Sequence, residues 1–211
     1  MLRPVEQNPN LTLIAGSAAR EPSDAELASA LMAGEPWATE AAWNRFAPEV
    51  HRMATRALGV ESEADDIVQE VFYRVFEKVG TLLAREKLRA FIRSFAWFLI
   101  RAELRRRKAR GWLSYREPEA LVDLASGTLD VESRELLQRF YSLLDRLRPR
   151  DRLVYALRSF EDMTVEEVAE CSGLSVSTVK RSLARVTKKL SVWCDADAGI
   201  AELLAAKGWK R

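Results

Sequence analysis

Cysteine is nearly absent from this 211-residue chain: Cys171 and Cys194 stand alone, and His51 is the single histidine. Neither cysteine belongs to a CxxC pair or lies near the histidine, which excludes a zinc site and a disulfide scaffold. A reducing, cytoplasmic compartment is the default for such a chain. Glycine and proline are scarce, at nine and seven residues, well under their usual combined share of about 12%. With few β-branched runs, that scarcity of breakers points to an all-α protein. No apolar stretch approaches the ~18 residues of a membrane span, so no membrane insertion is expected. The N-terminus lacks a charged start followed by an apolar core, so no signal peptide is expected. The sequence shows no glycine-rich phosphate loop, metal cluster or nucleophile–base pair. We therefore expect a non-enzyme with no cofactor and no metal.

A large net charge is missing too: the total is +2, which taken alone argues against strong nucleic-acid binding. The distribution reverses that reading. Residues 1–80 carry 7 basic and 13 acidic side chains, 81–116 carry 11 and 2, 117–145 carry 2 and 7, and 146–190 carry 10 and 6. Two basic blocks separated by acidic ones predict two contacts with a polyanion and acidic surface for another partner. The apolar fraction of 48% and charged fraction of 30% are those of a soluble globular protein. The length allows one medium domain or two small ones.

Five segments follow from periodicity and breakers. Residues 1–22, with Pro4, Pro9 and Pro22, read as a flexible leader. Residues 23–110 read as a helical domain. In it Asp24 caps a first helix, and the helical stretch from Trp37 to Leu58 breaks near Pro48, with Trp43, Phe46, Val50 and Met53 as core. Ser62 opens the clearest helix, with Ala64, Ile67, Val68, Val71, Phe72, Val75, Phe76 and Val79 at i, i+3, i+4, i+7 spacing. Asp66, Gln69, Glu70 and Tyr73 lie on its opposite face. A connector over 81–87 leads into a helix over 88–110, with Leu88, Phe91, Ile92, Phe95, Leu99 and Ala102 as its buried seam. Arg93, Trp97, Arg101, Leu104 and Lys108 project from the other side, and a tryptophan there is unusual. Phe98 is assigned to the core, and the helix ends in the cationic run 105–110.

Residues 111–131 read as a flexible linker and 132–190 as a second helical domain. Its last 27 or so residues spell a helix-turn-helix. Thr164 and Glu167 form a capping box, Gly173 supplies the left-handed turn residue, and Ser175 caps the next helix. Val176, Val179, Leu183, Val186 and Leu190 form a buried stripe on that helix. Ser177, Thr178, Lys180, Arg181 and Arg185 lie off the stripe, where hydroxyls suit phosphates and cations suit base edges. Cys171 reads as a small core residue. Residues 191–211 read as a C-terminal tail with a short helix.

The segment Ala64-Asp65-Asp66-Ile67-Val68-Gln69-Glu70-Val71-Phe72 and the later helix-turn-helix of 163–190 together resemble a bacterial RNA polymerase sigma factor. The resemblance is to the extracytoplasmic-function type of the sigma-70 family, and it covers about residues 24–190. It implies two small helical domains, a region-two bundle and a region-four helix-turn-helix, joined by a flexible linker. It implies that Asp66, Gln69 and Glu70 dock on core RNA polymerase. The 81–87 loop and the 88–110 helix, with Arg85, Lys87, Arg93, Trp97, Arg101, Arg105 and Lys108, would hold melted minus-ten DNA. The recognition helix, with Ser177, Thr178, Lys180, Arg181 and Arg185, would read the duplex minus-thirty-five element. An anti-sigma factor is a further implied partner.

The sequence departs from the family at Trp97 and Phe98, where Arg and Asn are usual, and at Arg181-Ser182, where Ser-Arg is commoner. Each site also has a plainer reading. The acidic face fits a solvated helix surface, the cationic run fits a helix C-terminus, and Trp97 fits burial under a neighbouring helix. Trp97 is otherwise a platform for an unpaired base. Two other functions share parts of this pattern: a stand-alone helix-turn-helix regulator, and a sigma-like polymerase-binding regulator.

Overall fold

Ser23 begins the first helix with a reciprocal cap. Its hydroxyl accepts from the Glu26 amide at 3.2 Å, and its own amide donates to the Glu26 carboxylate at 2.7 Å. This satisfies two of the orphan donors of a helix start. The computed structural model describes residues 21–59, 62–110, 131–197 and 199–200. Among these are eight helices and no strand: α1 (Asp24–Ala33), α2 (Pro36–Leu58), α3 (Ser62–Lys78), α4 (Leu88–Ala109), α5 (Val131–Asp145), α6 (Pro149–Ser159), α7 (Val165–Ser172) and α8 (Val176–Asp195). The expected all-α class is what the structure shows. Residues 1–20 of the expected leader, 111–130 of the expected linker and the tail beyond 200 lie outside the described residues.

The cap of α1 is Ser23 rather than Asp24, which sits in the first turn. The expected break at Pro48 is also absent, because α2 runs continuously through it. A proline inside a helix costs about 3 kcal/mol through its missing N–H and its ring. Burial on both sides of it holds the helix together: Ala42, Phe46, Ala47, Val50, Met53 and Ala54 are all core residues. On α3 the predicted stripe is buried from Ala64 to Val75. Short 3-10 turns at Val79–Thr81 and Arg85–Lys87 then lead into α4.

Helices α1 to α4 pack together, α6 lies against α2 and α4, and α7 lies against α4. One apolar cluster accordingly runs from Leu27 through Ile100 to Leu153, Leu157, Met163, Val168 and Val179. A second gathers Phe140, Leu144 and Leu147 of α5 and its turn with Tyr155, Val186, Leu190 and Cys194. Helix α4 is therefore covered from two directions, which corrects three expectations. Trp97 is 4% exposed and Leu104 is buried, although both were placed on the outer side. One apolar stripe accounts for one neighbouring layer, whereas α6 and α7 cover a second face of α4. Phe98, expected in the core, is 53% exposed, with the Arg74 guanidinium 5.8 Å from its ring centre. Trp43 is 39% exposed but packs on Phe72, with ring centres 4.9 Å apart.

The helix-turn-helix forms at the expected residues, but its buried stripe is narrower than expected: Val179, Val186 and Leu190 are buried, Leu183 is half-buried, and Val176 in the first turn is exposed. Thr164 and Glu167 make the capping box, Gly173 has φ of +66°, and Ser175 accepts from the Thr178 amide. After α8, the Ile200 amide donates to the Asp197 carboxylate, and Ile200 is buried.

Candidate functional site

Three surfaces carry the predicted residues. On α3, Asp66 and Gln69 are exposed. Glu70 is half-buried and bonded to Arg74 Nε at 2.6 Å, one turn on. Tyr73, 67% exposed, lies one turn beyond Gln69 and Glu70. The apolar stripe of α3 faces the core, so helical spacing sends these polar side chains outward together. The result is an acidic and amide face with an aromatic at its edge.

On α8 the outward side carries Ser177, Lys180 and Arg181, all exposed, and Thr178, half-buried, with the Arg181 guanidinium donating to the Thr178 hydroxyl at 3.3 Å. Arg185 is held from below. Its Nε and a terminal nitrogen donate to the two Asp151 carboxylate oxygens at 3.2 and 3.1 Å. Ser182 is fully buried, and its hydroxyl donates to the same carboxylate. The unusual Arg181-Ser182 order now has a physical reason: the buried position takes a small hydroxyl to bond Asp151, and the arginine falls on the outer face. Burial works to raise the Asp151 pKa. The hydrogen bonds from Arg185 and Ser182 and the nearby charges of Arg185 and Arg150 outweigh it, so the value lies below the usual 3.8.

The third surface spans the 81–87 connector and α4. Leu83 is fully exposed at the tip of the connector. Arg85 donates to the Ser29 hydroxyl at 3.1 Å, and Arg105 is exposed. The Arg101 Nε is buried with no hydrogen-bond partner among the described residues. The remaining predicted members each bond a protein group, Arg93 half-buried and Lys87 and Lys108 still exposed. Lys87 pairs with Glu170 of α7 at 2.7 Å, Arg93 pairs with Glu167 of α7 at 2.9 Å and with Glu49 of α2 at 2.5 Å, and Lys108 donates to the Leu147 carbonyl at 2.9 Å. Trp97 lies on this same face, one turn from Arg93. Its burial corrects the expectation of an exposed platform.

These pairs shift the groups involved. Hydrogen bonding and charge from Glu170 raise the Lys87 pKa. Burial opposes the Arg93 charge, yet Glu167 and Glu49 more than offset it, so its pKa is raised. The Thr164 amide and then Arg93 lower that of Glu167. Burial pushes the Cys171 thiol up to about 12, which keeps it protonated and unreactive.

Sequence reasoning missed the groups that lock α2 to the second half of the chain. Arg152 is buried; its guanidinium bonds Asp145 and donates to the Ala57 and Leu58 carbonyls at 2.8 and 3.2 Å. Arg107 donates to the Leu58 carbonyl at 2.8 Å, and the Tyr141 hydroxyl to the Arg56 carbonyl at 3.0 Å. Cations and a hydroxyl thus satisfy the orphan carbonyls at the negative end of α2. Arg56 bonds the Phe160 carbonyl and pairs with Glu161 at 2.9 Å. A single sequence offers no signal for such contacts, because the groups at the end of α2 and their partners lie 49 to 104 residues apart.

A helix-turn-helix with hydroxyls and cations on its outer face, behind a bundle presenting an acidic helix beside a basic one, defines a DNA-binding class of protein with a second, protein-facing surface. Residues 42–110 match the family described as Sigma-70 region 2, and residues 137–190 match Sigma-70, region 4. The ferric citrate uptake sigma factor FecI of Escherichia coli (strain K12) is 33% identical over 138 residues, which are 64% of this chain and 78% of that one. The RNA polymerase sigma-E factor of Streptomyces coelicolor is 31% identical over 155 residues, 72% of this chain and 84% of that one. Among solved structures, CnrH in complex with the cytosolic domain of CnrY matches with a TM-score of 0.60 and 25% identity, over 83% of this chain and 99% of that one. The chain belongs to the sigma-70 family of RNA polymerase sigma factors, with extracytoplasmic-function sigma factors among its relatives. Among the described residues, no helix is long and apolar enough to cross a membrane.

Proposed function

We propose that this transcription initiation factor docks core RNA polymerase through Asp66, Gln69 and Glu70 and divides promoter recognition between α8 and α4. The observation that carries this reading is the outward face of α3: it sets carboxylates and an amide beside Tyr73, facing away from the core, within the stretch that matches Sigma-70 region 2. Ser177, Thr178, Lys180, Arg181 and Arg185 enter the major groove of the minus-thirty-five element, with the hydroxyls on phosphates and the cations on base edges. The connector with exposed Leu83, together with Arg85, Lys87, Arg93, Arg101, Arg105 and Lys108, holds the melted minus-ten strand. Residues 23–110 and 132–190 act as separate domains, the chain works in the cytoplasm, and an anti-sigma protein is a partner. Polymerase supplies the chemistry.

Reversing charge at Asp66 and Glu70 tests the docking face. D66K/E70K is expected to lose core-polymerase binding and promoter-specific run-off transcription while keeping duplex DNA binding. A stand-alone helix-turn-helix regulator would instead show no polymerase binding even with the unaltered face.

A further inference from the structure

Phe98 is the aromatic that α4 leaves in the open. It is 53% exposed, whereas Trp97 beside it is 4% exposed. Helical spacing puts Phe91 and Arg105 on the same side of α4, two turns before it and two turns after it. Phe91 is half-buried, its ring edge-on to Phe95 with centres 5.0 Å apart, and Arg105 is exposed. The residues one turn to either side of Phe98 are small. Ser94 turns its hydroxyl back to the Phe91 carbonyl at 2.6 Å, and Ala102 has only a methyl group. The ring therefore stands in a shallow gap along the helix instead of under longer side chains. From α3, the Arg74 guanidinium lies 5.8 Å from its centre, held there by Glu70 at 2.6 Å.

We propose that Phe98 is a base-stacking residue for single-stranded nucleic acid: one unpaired base lies on its ring, and Arg105, farther along the same side of α4, meets the strand's phosphate. The inference rests on the reading of α4 as the strand-holding helix and adds to it the side chain that receives a base. An exposed aromatic among cations is the composition of a single-strand site, where bases stack on rings and the backbone meets positive charge. Trp97 cannot supply that ring, because it is buried. Every base has a π-face, so Phe98 contributes affinity without reading a hydrogen-bond pattern. Because the ring is exposed in the structure as it stands, stacking on it needs no rearrangement of the helices.

The test uses the full chain and two fluorescent single-stranded probes of equal length. One is oligodeoxyadenylate; the other is an abasic deoxyribose-phosphate strand, which keeps the charge and lacks the bases. The variants are F98L, apolar without a π-face, F98Y, which keeps the ring, and R105Q. The parent is expected to bind the adenylate strand about tenfold more tightly than the abasic one, the size of one base–aromatic stack. F98L should bind the two strands alike within about twofold, and F98Y should keep the parent's preference. R105Q should weaken both probes by the same factor, as loss of a phosphate contact does. The thermal midpoint of F98L and its affinity for core polymerase should match the parent's. A parent-like preference in F98L would overturn the proposal. So would loss of core-polymerase binding by F98L with the base preference kept, which would assign the ring, through Arg74 and Glu70, to docking. A parent that binds neither probe would overturn the strand-holding reading of α4 and the proposal with it, an outcome distinct from a parent that binds both strands and an F98L that behaves like it.

Discussion

Asp151 shows how a single residue ties packing to DNA reading. It is a buried carboxylate that bonds Ser182 and orients Arg185 on the outer side of α8. Asp151→Asn keeps an acceptor for Ser182 but leaves Arg185 without a counter-charge. The expected cost is about 1–3 kcal/mol at pH 7, read from urea unfolding. The folded pKa lies below the usual 3.8, so this stabilisation is present above that value and is lost as pH falls through the folded value. The gap between Asp151→Asn and the parent should therefore be full at pH 7 and shrink as the pH is taken below 3.8. Trp97 gives a second expectation. As a buried side chain, its replacement by Ala should cost about 3–5 kcal/mol, a loss an exposed stacking platform would not produce. The unusual tryptophan is visible in the sequence, and burial under a neighbouring helix is one of its two readings there; which helices cover it is not legible, because α6 and α7 lie more than 50 residues downstream.

Individual elements were legible in proportion to how local their determinants are. The helix α3, the capping box at Thr164 and the turn at Gly173 depend on residues within a few positions of one another, and all were read correctly. Pro48 misled because tertiary burial overrides a local breaker. Helix α4 misled for the related reason that it is packed from two directions, and periodicity alone cannot count neighbouring layers. The end of α2 was invisible for want of any local signal, since its carbonyls are satisfied by Arg107, Arg152 and Tyr141 from three other helices. Gly59→Ala tests that junction: the left-handed φ and the 2.6 Å approach to Tyr141 should together cost more than about 1 kcal/mol, seen as a lower midpoint in thermal unfolding. Thr164→Ala should cost about 1 kcal/mol by removing a cap.

Across the whole molecule, a net charge of +2 arises because acidic and basic surfaces serve different partners and, in the structure, also face each other. The acids of α7 neutralise cations of α4, while the acids of α3 and the cations of α8 stay on the outside. The proposed docking and strand-holding roles follow from that division. Whether this chain directs RNA polymerase to promoters is read most directly by transcript mapping with purified core polymerase on genomic DNA. Discrete start sites are expected to appear with the parent protein and to vanish with D66K/E70K. Transcripts that are identical with and without the protein would contradict it.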